Sequence, residues 1–290
     1  MSFTVTSSDG AWVHARRTHL EAIKRFLLPR ESTCVTVTEA MDGAEGAGNK
    51  NGKFTVFSHR GTVAGCVFHT ANGFVFPVLP EDGLPAPTNL GRKLRGAAQR
   101  LFCIMGLRRD VESLKQIFME NPVEEIHYYH MSRTCGSPIE HQPLPDDMTV
   151  RKAGPADAET LYPLQREYEI EEVILNADRF DPAGCMYQLK ASLKQQLVYV
   201  VEHRGHPVAK AQTNARGFYW DQIGGVFTDR PQRGRGIGRA VMYKLLRDIE
   251  CANRNSSLFV KQHNESALRM YRGLGYSTQD EFTIAYFRSI

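Results

Sequence analysis

The chain has 290 residues, room for two domains of ordinary size, and its 42% hydrophobic and 23% charged content is that of a soluble globular protein. A formal net charge of +4 is too small to indicate a nucleic-acid partner, and no apolar run approaches membrane-spanning length. The polar start MSFTVTSSDG lacks a signal-peptide layout, and the cysteines at 34, 66, 103, 135, 185 and 251 follow no CxxC or Cys/His spacing. That pattern argues against a zinc site or disulfide framework; it suits a reducing cytoplasm, each cysteine being a small buried apolar residue.

In chain order, helical spacing of Trp12, Leu20, Ile23, Phe26 and Leu27 predicts a helix over Gly10–Leu28, ended by Pro29. Val35–Val37 is a short β-branched run, and Asp42–Gly52 has the composition of a flexible loop. Lys53–His59 and Thr62–His69 read as a hairpin around Arg60-Gly61, with Phe74–Leu79 as a third strand. After the break at Pro80–Pro87, Leu90–Arg100 is basic and helical. Leu101–Met105 is then a strand that leads into a helix over Asp110–Met119, with Asp110 as its candidate cap. Glu125–Met131 is a strand; its His127, Tyr128, Tyr129 and His130 lack a nearby carboxylate or cysteine at ligand spacing and read as alternating faces, not a metal site.

Ser137–Asp147, with three prolines and few apolar residues, reads as a linker, which divides the chain into domains 1–136 and 148–290. The second half opens with a strand at Met148–Lys152 and a helix beginning at Asp157 with Leu161, Leu164, Tyr168 and Val173 inside. Glu167–Glu172 is acidic, in the simplest view a solvated helix face. A helix at Gln188–Gln196 precedes strands Leu197–His203 and Pro207–Thr213, joined by Arg204-Gly205-His206.

The most informative stretch is Gln222–Asn253, a strand to Thr228, a glycine-rich basic turn to Gly238 and an amphipathic helix. Gly234, Gly236 and Gly238 leave backbone N–H groups unshielded where a helix begins, and Arg233, Arg235 and Arg239 surround them with positive charge. Those are the parts of a pyrophosphate cradle, the plainer alternative being an arginine-rich surface turn. Neither the dinucleotide fingerprint nor the P-loop spacing is present. A strand at Ser257–Lys261 follows, then a helix capped by Asn264 and a last strand at Glu281–Phe287.

Arg233-Gly-Arg-Gly236-Ile-Gly238 resembles the acetyl-CoA motif of the GNAT superfamily of N-acetyltransferases. Asn264, Ala267, Tyr271, Gly275 and Tyr276 match that family's second signature in order and spacing, and strand-A-G-P-A-D-A-helix resembles its opening. The resemblance covers Met148–Ile290 and implies an α/β (α+β mixed) fold, a GNAT-type twisted central sheet flanked by helices.

It implies acetyl-CoA as co-substrate, with no metal, and direct attack by an acceptor amine, small molecule or peptide. Pantetheine would pair with Val226, Phe227 and Thr228; Arg233, Gly234, Arg235, Gly236, Ile237, Gly238 and Arg239 would hold the pyrophosphate. The Val226 N–H would stabilise the oxyanion, and Tyr271, otherwise a core aromatic, would protonate the leaving sulfur. Asn264 would contact the pantetheine arm or serve only as a cap. Where several relatives carry a glutamate base this chain has Gln222, beside Asp221 on the opposite face. Glu171 or Glu172 could supply a base through water and wall the acceptor site, or the acceptor could bind already deprotonated.

The order of elements in residues 1–136 parallels the second half. Leu101–Phe118 takes the place of the cofactor motif with one glycine in place of three, so this half reads as a degenerate GNAT-like repeat or an unrelated α+β domain. Tandem domains of which only the second binds cofactor are the resulting expectation. A non-catalytic acyl-CoA sensor is the alternative function. No nucleic-acid or membrane partner is expected, and monomer and homodimer are both open.

Overall fold

The computed structural model describes residues 10–47, 52–85, 89–98, 100–118, 120–141, 143–174 and 176–288. The chain forms two compact units, Met1–Tyr129 with Asp280–Ser289, and His130–Gln279. The stretch 137–147, read above as a linker, belongs to the second unit, and the end of the last strand belongs to the first.

In the first unit, strands β1 (Ala11–His14), β2 (Gly52–His59), β3 (Thr62–Thr70), β4 (Phe74–Val78) and β5 (Cys103–Leu107) lie side by side in that order. All pairs are antiparallel except β4–β5, which is parallel, and residues 282–286 of the final strand β12 (Ser277–Tyr286) pair antiparallel with β5. Helices α1 (Leu20–Leu27), α2 (Val35–Ala47), α3 (Leu90–Lys93), α4 (Arg95–Ala98) and α5 (Arg108–Phe118) complete it. Trp12, Phe57, Val67, Ile104, Val111, Leu114 and Ala285 share its core.

Several expectations for this half are corrected. Gly10–Leu28 is not one helix: Ala11–His14 pairs with β2, because an edge partner satisfies its backbone, and the helix starts only at Leu20. Val35–Val37 opens α2, where Val35 and Val37 are buried, so tertiary packing overrides β-branched propensity. That helix also takes residues 42–47 of the expected loop, while 48–51 lie outside the described residues. Asp110 sits inside the first turn of α5; its buried carboxylate accepts the Leu79 N–H at 3.1 Å instead of capping the helix.

The place of the cofactor motif is corrected too. The parallel pair with its helical crossover is β4–α3–α4–β5, so Leu101–Phe118 is the following strand and helix, one βα step too late. The corresponding loop carries Glu81, Asp82 and Gly83 where the second half carries arginines, and the helix after it is a single turn.

In the second unit, β7 (Met148–Lys152), β8 (Val198–His203), β9 (His206–Arg216) and β10 (Trp220–Thr228) form an antiparallel run, and β10 pairs parallel with β11 (Asn255–Lys261). Strand β6 (Glu124–Arg133) ends in this unit. Helices α6 (Ala158–Tyr168) and α7 (Pro182–Gln195) lie between β7 and β8, and α8 (Ile237–Cys251) and α9 (Glu265–Gly273) follow β10 and β11. The Arg204-Gly205 turn takes positive φ at both residues, as a tight hairpin requires. Helix α6 runs into one π turn, Glu169–Val173, and Val173, expected in the core, is 40% exposed because that turn rotates it outward. Cys251 is also exposed, at the C-terminal end of α8, unlike the buried Cys34, Cys66, Cys103 and Cys185.

Candidate active site

Two features of β10 shape the site. Its ladder with β11 runs from Trp220 opposite Asn255 to Ile223 opposite Leu258, and both strands continue beyond it, β10 to Thr228 and β11 to Lys261. On its other edge, Gly224 lies opposite Gln212 and Phe227 opposite Lys210, so β10 carries one extra residue at a β-bulge. Gly225 takes φ 57° there, and a Cβ on it would lie 2.8 Å from Gln212 and from Lys210 Nζ. The bulge therefore requires glycine.

After β10, Arg230–Gln232 makes one 3₁₀ turn and Gly234 and Gly236 both take φ 77°, with Gly236 as the N-cap of α8. Gly238 is a glycine for room: a Cβ there would meet Thr228 Oγ1 at 3.2 Å and Met270 Sδ at 3.4 Å. The first bond of the helix is Ala240 N–H to Gly236 O at 3.0 Å. The N–H groups from Gly234 to Arg239 consequently have no intrachain acceptor among the described residues. An array of free N–H groups at a helix N-terminus is an anion cradle. It is anchored below by Ile237, Val241, Leu245 and Ile249, all buried.

The arginines around the cradle are held in different ways. Arg233 donates to Thr228 O at 2.8 Å and stacks over Phe227, 5.2 Å from the ring centroid. Arg239 donates to Gly273 O and to Glu140, while Arg235, which is exposed, donates to Gln232. The expected acidic wall is largely neutralised. Glu171 binds Arg230 at 2.6 Å and Arg233 at 2.8 Å, and Glu172 binds Lys261 at 3.1 Å. Partial burial pushes the Glu171 carboxyl up, but its bonds from Arg233 and Arg230 outweigh that and hold it below the usual carboxylate range.

Tyr271 is buried on α9, 6.0 Å ring to ring from Tyr276, and its hydroxyl bonds no other group among the described residues. Burial, reinforced by Tyr276, Tyr168 and Glu172, raises its pKa far above the ordinary phenol value, so at neutral pH it is a proton donor and not a base. Asn264 accepts the Ala267 N–H at 3.1 Å and so caps α9. Half-buried Gln222 and Val226 alternate along β10 with buried Asp221, which pairs with Arg254 at 2.8 Å and Arg216 at 3.3 Å and is a structural anchor.

Beneath the bulge lies a polar row that no sequence motif marks. Lys210, Gln212 and Asn214 alternate along β9; Lys210 is wholly buried and donates to Gly225 O at 3.1 Å and Gln212 Oε1 at 3.3 Å. Its ammonium lies 4.4 Å from the Tyr168 ring centroid. The one available signal was the alternation of Ala209, Ala211 and Ala215 with larger polar residues, which reads equally as a solvent face.

Residues 159–276 match the family model described as the acetyltransferase (GNAT) family. No curated protein matches the chain in sequence. Among solved structures, a Drosophila protein from a structural-genomics programme is similar over 95% of this chain and 98% of its own, with TM-score 0.66 and 11% identity. A GCN5-related N-acetyltransferase from Sphaerobacter thermophilus covers 97% of both chains, with TM-score 0.63 and 16% identity. A tandem GNAT protein from the clavulanic acid biosynthesis pathway matches 97% of this chain and 100% of its own at TM-score 0.55 and 11% identity. These likenesses are of fold. They extend over both halves of the chain.

Proposed function

Because residues 159–276 form a domain of the acetyltransferase (GNAT) family, we propose that the chain transfers an acetyl group from acetyl-CoA to the amine of a small molecule or peptide. The observation that carries this reading is the unpaired N–H array from Gly234 to Arg239 beside the end of the β10–β11 ladder. Its donors and the guanidinia of Arg233, Arg235 and Arg239 suit a pyrophosphate, and the open backbone edge of Val226, Phe227 and Thr228 suits the amides of a pantetheine arm.

The thioester supplies an activated carbonyl. The acceptor nitrogen attacks its carbon, the C–N bond forms, the nitrogen sheds one proton to solvent and the C–S bond breaks. Charge developing on the carbonyl oxygen is met by the Val226 N–H, and the departing sulfur takes the Tyr271 hydroxyl proton, which solvent restores. The carboxylates considered as a base, Asp221, Glu171 and Glu172, are all ion-paired. The acceptor accordingly enters as a neutral amine, its proton lost to water beforehand. Asn264 keeps a capping role and contributes to the cofactor side by holding α9.

No helix among the described residues is long and apolar enough to cross a membrane. A screen of amines with acetyl-CoA, read by release of free thiol, tests the proposal. One amine class giving turnover, lost in Tyr271→Phe, supports it. Tight acetyl-CoA binding without turnover on any amine would favour a sensor.

A further inference from the structure

The mechanism above leaves Lys210 unused, although a fully buried lysine is uncommon and this one lies at the centre of the site's geometry. It has no ion-pair partner among the described residues. Its three N–H directions are accounted for by the Gly225 carbonyl at 3.1 Å, Gln212 Oε1 at 3.3 Å and the face of the Tyr168 ring at 4.4 Å. Two oxygens and a π face are all electron-rich, so the pocket is built to receive a donor and offers nothing to a nitrogen lone pair. A general-base role does not fit, since the nitrogen is sealed from solvent and turned toward acceptors.

What it touches is specific. Gly225 O and the Val226 N–H belong to the same peptide group, the one at the bulge. A cation bonded to the oxygen of a peptide draws electron density from its nitrogen and makes the N–H a stronger donor on the opposite side, as in any polarised hydrogen-bond chain. It also fixes the plane of a peptide that a bulge and a positive φ would otherwise leave free to rotate.

We propose that Lys210 is a positioning residue for acyl transfer: by bonding the Gly225 carbonyl, its ammonium orients and polarises the Gly225–Val226 peptide so that the Val226 N–H becomes the oxyanion donor. This rests on the acyl-CoA reading of the site. Gln212 completes the device. Its carbonyl takes the Lys210 ammonium, while its amide donates to Asn214 Oδ1 at 3.2 Å and Ser192 Oγ at 3.5 Å, which holds the row in one order along β9.

The arrangement has a built-in pH dependence. Desolvation pushes the Lys210 pKa down to about 7, against partial support from Glu169 and Cys185. The groups facing it are Tyr168 from α6, Glu169 from the π turn, Cys185 from α7, Gly225 and Phe227 from β10 and Val200 from β8. Of the two ionisable groups that support its charge, Cys185 is a neutral thiol, pushed up to about 12 by burial. Around neutral pH the charge on Lys210 is therefore adjustable.

The test needs no acceptor. With [1-13C]acetyl-CoA saturating the protein, the thioester carbonyl is followed by isotope-edited infrared spectroscopy. Wild type at pH 6 should shift the carbonyl to lower frequency than in water, and most of that shift should fade as pH rises to 9. Lys210→Met, of similar length and without charge, should bind acetyl-CoA but show little shift at any pH, and Lys210→Arg should restore part of it. If Lys210→Met fails to fold, Lys210→Gln takes its place in the same comparison. An equal shift in Lys210→Met and wild type overturns the proposal while leaving the acyl-CoA reading intact. Absence of acetyl-CoA binding in wild type overturns both.

Discussion

The Glu171 carboxylate meets the Arg233 guanidinium at 2.8 Å, so a side chain of the expected acceptor wall is bound to an arginine of the anion cradle. A bound pyrophosphate and Glu171 would compete for the same guanidinium, and for Arg230 on the other carboxylate oxygen. Glu171→Gln should therefore tighten acetyl-CoA binding. Both arginines are well exposed, so screening limits the gain to about 0.2–1 kcal/mol, up to roughly fivefold in Kd. Weaker binding of the variant, measured calorimetrically, would mean that Glu171 orders the loop rather than competing for it.

Tyr271→Phe removes a hydroxyl that bonds nothing among the described residues. The melting temperature and the Kd for acetyl-CoA should stay close to wild type, while kcat falls on the order of 10², the low end for general acid catalysis because a thiolate is a good leaving group. An unchanged kcat would return Tyr271 to the role of a core aromatic.

Gly225→Ala puts a Cβ 2.8 Å from Lys210 Nζ and from Gln212, at φ 57°. Strain and crowding together should cost about 1–3 kcal/mol, read as a lowered denaturant midpoint. A variant as stable as wild type would contradict the bulge geometry.

Asp110 in the first unit supplies a pH test of stability. Burial raises its carboxyl to about 7, against the lowering effect of the Leu79 N–H and Arg109. A folded-state pKa above the unfolded one means that the native protein holds the extra proton between about pH 4 and 7. The stabilising contribution is thus complete below about 4 and lost as pH rises through 7. Asp110→Asn keeps an oxygen for the Leu79 N–H and removes the ionisation, so unfolding free energy should depend less on pH from 4 to 7. A profile identical to wild type would show that Asp110 titrates normally.

What could be read from the sequence was local. Arg233–Gly238 and Asn264–Tyr276 announce themselves because cradle, cap and helix are built from consecutive residues whose types are dictated by backbone conformation and charge. The hairpins at Arg60-Gly61 and Arg204-Gly205 were legible for the same reason, their turns requiring positive φ. Lys210 was not, because its burial is decided by pairing with Phe227 across β10 and by Tyr168 packing over it, neither of which is near in sequence. The N-terminal crossover was misplaced by one βα step because only the parallel pairing of Phe74 with Cys103 identifies β4 as the motif strand, and its loop has lost the glycine-arginine pattern. The partnering of Glu171 with Arg230 and Arg233 likewise turned a stretch that reads as an acidic face into a neutralised one.

The claim on which everything else depends is that acyl-CoA binds at the N-terminus of α8, and there alone. Isothermal titration with acetyl-CoA should give one site per chain, and Gly236→Glu, which puts a side chain and a negative charge at the αL cap of that helix, should abolish the heat without unfolding the protein. No binding by wild type, a second site per chain, or a Gly236→Glu variant that binds as wild type does would contradict it.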